Sequence, residues 1–196
     1  MNKYGYIKVA SALPSVRVAD CEYNAERTVE MMRRAAERGV RVVVFPELGL
    51  TAASCGDLLR QPMLLAAAEQ ALERVAKASG ELGIAAIVGL PIAVGERIFN
   101  CAAVVADGQV AGVVPKQHIP NFGEWQQGRW FASGAGFEQC ALANYAGQKV
   151  QFGHPSMTLF NQNLLVIYLE TARNKTDPTD CSTPGFPVFR YLPEFA

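Results

Sequence analysis

Two side chains in this sequence have the type and setting to do chemistry together. Glu47 follows the run Val42-Val43-Val44-Phe45-Pro46, and Lys116 follows Val113-Val114-Pro115. Each apolar, β-branched run reads as a buried strand. In each, a proline without an N–H ends the ladder and a charge comes next. A carboxylate delivered beside a core is costly unless it is paired or used. An acid and an amine brought into one pocket can move a proton and steady a developing negative charge. The expectation is that Glu47 and Lys116 converge; a structural ion pair between two strand ends is the plainer alternative.

The elements that must position them are legible in outline. Residues 7–13 read as a first strand. Asp20 is placed to cap a helix over residues 21–38, with Ala25, Val29, Met32 and Ala36 as its apolar stripe. Gly39 ends that helix, and a strand over 40–45 follows at once. The small residues of 49–57 form a loop expected to run past the pocket. A second helix is expected over 63–79, closed by Gly80, and then a strand over 84–90, stopped by Pro91. Two further strands, 99–106 and 109–114, are joined by Asp107-Gly108, a strong hairpin signal. Residues 117–136 are irregular and carry Phe122, Glu124, Trp125, Arg129, Trp130 and Phe131, a concentration that suggests a site. Residues 150–153 begin another strand. Strands separated by a helix and then paired in a hairpin indicate an α/β fold with a mixed sheet.

Composition narrows the function. The 196 residues suffice for one domain with a core. Eighteen acidic residues balance eighteen basic ones, so charge argues for neither nucleic acid nor an anionic membrane as partner. The two histidines are far apart and no metal cluster is expected. Five cysteines without a Cys-x-x-Cys element, and no leader-like apolar run, point to free thiols in a reducing cytoplasm.

Several segments in combination resemble one family. They include Val44-Phe45-Pro46-Glu47-Leu48-Gly49-Leu50-Thr51, Ser54-Cys55-Gly56-Asp57-Leu58, Val88-Gly89-Leu90-Pro91 and Phe99-Asn100-Cys101-Ala102. They end with Val113-Val114-Pro115-Lys116-Gln117-His118-Ile119-Pro120-Asn121-Phe122-Gly123-Glu124 and Arg129-Trp130-Phe131. This ordered set resembles the glutaminase domain of glutamine-dependent NAD synthetases, within the nitrilase (carbon–nitrogen hydrolase) superfamily. The resemblance implies an α-β-β-α sandwich and a Glu-Lys-Cys catalytic set. Glu47 matches the general base and Lys116 the lysine. Glu124 matches a further glutamate that holds lysine and substrate, and Phe122 falls where a tyrosine commonly helps bind glutamine. The implied reaction splits glutamine's amide through a thioester and needs no cofactor. ATP would belong to a separate synthetase domain, which with glutamine and further copies of the chain makes up the expected partners.

The resemblance covers about residues 3–153; a partial glutaminase-type domain is expected over 1–153 and a divergent tail over 154–196. No Glu-Ile-Cys-like strand end follows the lysine. Cys181, in the turn-like Thr179-Asp180-Cys181-Ser182, is a poor candidate nucleophile. The expectation is a domain whose C-terminal part is missing or divergent through truncation or a frame shift, with exposed apolar surface prone to association. A catalytically inactive nitrilase-like module, or a hydrolase for another amide, are the competing functions.

Overall fold

A computed structural model describes residues 7–136 and 140–153, without the side chains of 140–143; the expectations for 154–196, Cys181 included, lie outside them. Strand β1 (Val9–Ser11) leads into helix α1 (Cys21–Glu37), and β2 (Val42–Val44) follows. Helix α2 (Pro62–Leu82) precedes β3 (Ala85–Val94), β4 (Arg97–Ala106) and β5 (Gln109–Pro115). A small hairpin, β6 (Asn121–Phe122) and β7 (Trp125–Gln126), stands apart from the main sheet, which β8 (Cys140–Tyr145) and β9 (Gln148–Phe152) complete.

The main sheet has seven strands in the order β1-β2-β3-β4-β5-β9-β8. The β1-β2 and β2-β3 pairs are parallel; β3-β4 and β4-β5 are antiparallel. This is the mixed α/β sheet that the sequence suggests. Of the expected α-β-β-α sandwich, the described residues supply one helical layer and one sheet. No helix among them is long and apolar enough to cross a membrane.

Alternation sorts the sheet into two faces. Val43, Val88, Leu90, Phe99 and Val113 share a core with Met32 of α1 and Leu72 and Val75 of α2. Phe99 meets Phe152 of β9 edge-on, with ring centroids 5.4 Å apart. Ile87, Gly89, Ala102 and Val114 lie at opposite parity in the paired register, so they occupy the face away from the helices.

Local signals explain much of this. Asp20 accepts a hydrogen bond from the Tyr23 amide at 3.1 Å and caps α1. The most buried line of α1 runs through Cys21, Asn24, Ala25, Thr28, Met32 and Ala35, so two polar residues lie in the stripe. Asn24 accepts from the Arg17 amide and donates to the carbonyls of Arg17 and Leu50. The β4–β5 turn has φ of 50° at Asp107 and 81° at Gly108, as a two-residue hairpin requires.

Beyond shifts of one to a few residues at element ends, three features depart from the sequence reading. Helix α2 continues through Gly80 and ends at Gly83, which is left-handed with φ 58°. Gly80 serves a close approach instead: a Cβ there would lie 2.8 Å from the Gly108 nitrogen. Pro91 sits within β3 and does not stop it. The carbonyls of Ile87 and Gly89 accept from Phe45 and Leu50, on the β2 side. Pro91 shares their parity and lies past the last β2 pairing, so no ladder bond is lost. Strand β8 was not anticipated.

Candidate active site

The acid and the amine arrive from opposite sides of the same sheet face. β2 pairs with β3 until the Phe45 amide bonds the Ile87 carbonyl at 2.9 Å; the chain then rises off the sheet and rejoins at Leu50, whose amide bonds the Gly89 carbonyl at 3.1 Å. Glu47 lies in the span between. Leu48 next to it has φ 53°, a left-handed conformation that strains a residue with a Cβ by roughly 1–2 kcal/mol. Its side chain is 1 % exposed, so core packing holds the elbow in that shape.

Lys116 follows β5, and its amide bonds the Asn100 carbonyl of β4 at 2.8 Å, one step beyond the Cys101–Pro115 pairing. A strap over 131–134 fixes it from outside. Ala132 bonds the Ile98 carbonyl and Gly134 bonds the Lys116 carbonyl. Gly134 presses on Pro115, with room for no Cβ: one would lie 2.8 Å from the Pro115 ring.

Lys116 Nζ donates to Glu47 Oε1 at 2.8 Å. Asn100 Nδ2 donates to the same oxygen. Gln127, in the 3-10 turn Gln127–Arg129, bridges the pair: its Oε1 accepts from Lys116 at 3.2 Å and its Nε2 donates to Glu47 Oε1 at 3.5 Å. The three donors meet at Oε1, and Oε2 receives none of them. Burial pushes the Glu47 carboxyl up, but the Lys116 hydrogen bond and charge, with Asn100 and Gln127, outweigh it and hold the group below its ordinary value. Glu47 is therefore ionised at neutral pH. The lysine is about a third exposed and the glutamate about half, so the pair stands at the surface and not in the core.

Of the sequence-predicted residues, the structure brings Glu47 and Lys116 together. Phe122 and Glu124 lie on the exposed β6–β7 hairpin, where Phe122 is opposite Trp125. Neither joins the hydrogen-bonded cluster, in which Gln127 stands beside the lysine. Asn100 and Gln127 were not foreseen. Asn100 had a signal, since a lone amide in an apolar strand must find a partner when buried; it is 2 % exposed. Gln127 had none.

Two motifs without an assigned role also meet. Asp57, in the 3-10 turn Gly56–Arg60, accepts from Trp130 Nε1 at 2.8 Å and from Arg129 Nη2 at 2.9 Å. Arg60 donates to the Arg129 carbonyl. This clamp ties down the turn that carries Gln127. The Trp130 hydrogen bond, ahead of the Arg129 charge, holds Asp57 below its ordinary value.

The three described thiols stand elsewhere. Cys21, Cys55 and Cys101 belong to the buried core on the helix side of the sheet. Burial pushes Cys21 up to about 11 and raises Cys55 and Cys101 as well. That is the reverse of an activated thiolate.

The fold and site are thus a mixed α/β sheet with a glutamate and a lysine paired at its strand ends, and sequence comparison gives the class to which they belong. The chain belongs to the carbon-nitrogen hydrolase family, whose model matches residues 8–157. It is 34% identical over 151 residues to a glutamine-dependent NAD(+) synthetase of Mycobacterium tuberculosis, covering 77% of this chain and 22% of that one. It is 35% identical over 138 residues to the Xylella fastidiosa protein of the same name, covering 70% and 25%. The chain thus spans a quarter or less of the length of these relatives. In fold it resembles a solved glutamine-dependent NAD(+) synthetase from Cytophaga hutchinsonii, with TM-score 0.72, 24% identity, and coverage of 79% of this chain and 26% of that one.

Proposed function

We propose that Glu47 and Lys116 are the proton-transfer and charge-stabilising half of a site that hydrolyses the side-chain amide of glutamine. The ammonia released would supply ATP-dependent formation of NAD from its deamido precursor. The observation that carries this reading is the 2.8 Å contact of Lys116 with Glu47 Oε1, which leaves Oε2 to work. A thiol nucleophile gives its proton to Glu47 as its sulfur bonds the amide carbon; the C–N bond then breaks as Glu47 passes that proton to the departing ammonia, leaving a thioester. Glu47 then activates the water that releases glutamate from the thioester. Lys116 steadies the oxyanion, a contribution of roughly 3 kcal/mol for one such donor. The amide step needs no cofactor; ATP belongs to a synthetase domain, and the setting is the cytoplasm. Phe122 and Glu124 are left to meet the incoming glutamine, while Gln127 holds the lysine.

The relatives' shared name supports glutamine as the amide donor. The test is glutamate release from glutamine by the purified chain, abolished by Glu47→Gln. No turnover above buffer would overturn the reading for this polypeptide. The buried, unactivated state of Cys21, Cys55 and Cys101 favours a second reading, a nitrilase-like module without turnover. Intact mass after exposure to a glutamine-like electrophile separates the two: a single adduct supports the enzyme, none supports the module.

A further inference from the structure

Gly89 lies beneath the elbow that carries Glu47. The chain bonds β3 just before the elbow, at Ile87, and just after it, at Gly89 itself. Between those two points it crosses directly over the Gly89 Cα. A Cβ built at Gly89 would lie 2.4 Å from the Leu48 nitrogen, 2.8 Å from the Pro46 oxygen and 2.9 Å from the Glu47 carbonyl carbon. All three contacts are to backbone, which has no far end to swing aside. Gly89 is not a left-handed glycine; its φ falls outside the positive range. Its missing side chain is therefore required by space and not by backbone conformation.

The elbow cannot retreat easily. Leu48 is anchored in the core, and its carbonyl accepts from Thr51 at 3.1 Å and Ala52 at 2.8 Å. The Pro46 carbonyl accepts from Gly49 at 3.2 Å. A methyl group at 89 must lift residues 46–48 off the sheet as a unit. Asn100 and Lys116 are fixed to the sheet by their own backbone, so Glu47 would move relative to its donors. We infer that Gly89 is a positioning residue for Glu47: the bare Cα sets the height at which the carboxylate meets Lys116, Asn100 and Gln127. Its bearing on turnover rests on the amidase reading; its bearing on the geometry does not.

The test is the titration of the Glu47 carboxyl in the full 196-residue chain, followed by carbon NMR with labelled glutamate. In Gly89→Ala the donors are pulled away while burial remains, so the midpoint rises. Gly95→Ala is the control. Gly95 has φ 61° and open space around its missing Cβ, so that variant strains a turn and lowers stability without moving Glu47. Its midpoint stays with that of the unsubstituted protein. Should Gly89→Ala not yield soluble protein in plain buffer, the same titration is run on all three proteins in trimethylamine N-oxide, which favours the compact state; the Gly89→Ala midpoint again rises. A folded Gly89→Ala variant whose Glu47 titrates as in the unsubstituted chain overturns the proposal. If the chain turns over glutamine, kcat falls roughly a hundredfold with KM little changed. A raised midpoint in a chain without turnover keeps the positioning role and removes only the amidase reading.

Discussion

Lys116→Met isolates what the amine contributes to the site. Methionine keeps most of the stem's volume and deletes the charge. At 2.8 Å the bare attraction between Lys116 and Glu47 is about 1.5 kcal/mol at the dielectric of water and about 6 kcal/mol at an effective value of 20. Neither is a net figure. The lysine is 29% exposed and the glutamate 48%, which places the pair between exposed pairs, at about 0.2–1 kcal/mol, and buried ones, where removing a partner costs roughly 3–5. Asn100 and Gln127 still serve the carboxylate afterwards. The expected loss is therefore about 1–2 kcal/mol near neutral pH, read by urea unfolding. Its pH dependence is the sharper test. The folded-state value of Glu47 lies below the ordinary 4.5. Its stabilisation is therefore complete above 4.5 and is lost as pH falls through the lower, folded value. Without the lysine, burial is less opposed, so the variant loses less on acidification. The gap between the two proteins must shrink as pH falls through that window. A gap of the same size on both sides of it would refute the claim that this is a working ion pair.

Other substitutions probe the parts that hold the site. Gly80→Ala ought to gain roughly 0.5–1 kcal/mol from helix propensity, yet its Cβ would meet the Gly108 nitrogen at 2.8 Å. Overpacking of about 1–3 kcal/mol outweighs the gain, so thermal melting should show net destabilisation. Asn24→Ala strands the Arg17 amide and the Leu50 carbonyl, each bonded to Asn24 now. Chemical unfolding should show a loss of roughly 2–4 kcal/mol. Asp57→Asn removes the charge and keeps an acceptor for Trp130. The Trp130 indole N–H should exchange faster in that variant. In the unsubstituted protein, slow exchange should persist below the ordinary aspartate value of 3.8 and be lost only as pH falls through the lower, folded one.

Particular residues show where sequence reading works. Asp20, Gly39 and Asp107-Gly108 act within a few positions of themselves, and each does what its type predicts. Gly80 and Pro91 are the instructive failures. Both are local breakers by type, and both stand inside elements because of what lies across from them: a hairpin turn for Gly80, and an unpaired stretch of strand edge for Pro91. The loop after Lys116 has no periodicity, so nothing in it indicated that Gln127, and not Glu124, would stand beside the amine.

The amino-acid sequence alone determined the caps of α1, the hairpin, the mixed α/β order, and the two charges placed just past prolines at strand ends. Those features depend on neighbours along the chain, so the chain records them directly. The tertiary structure decided which oxygen of Glu47 is loaded, that Asn100 and Gln127 load it, and that Gly89 and Gly134 must lack a Cβ. These depend on the register of strands far apart in sequence. One-step parity along β4 sends Asn100 to the site and Cys101 to the helix side, and only the paired sheet establishes which face is which.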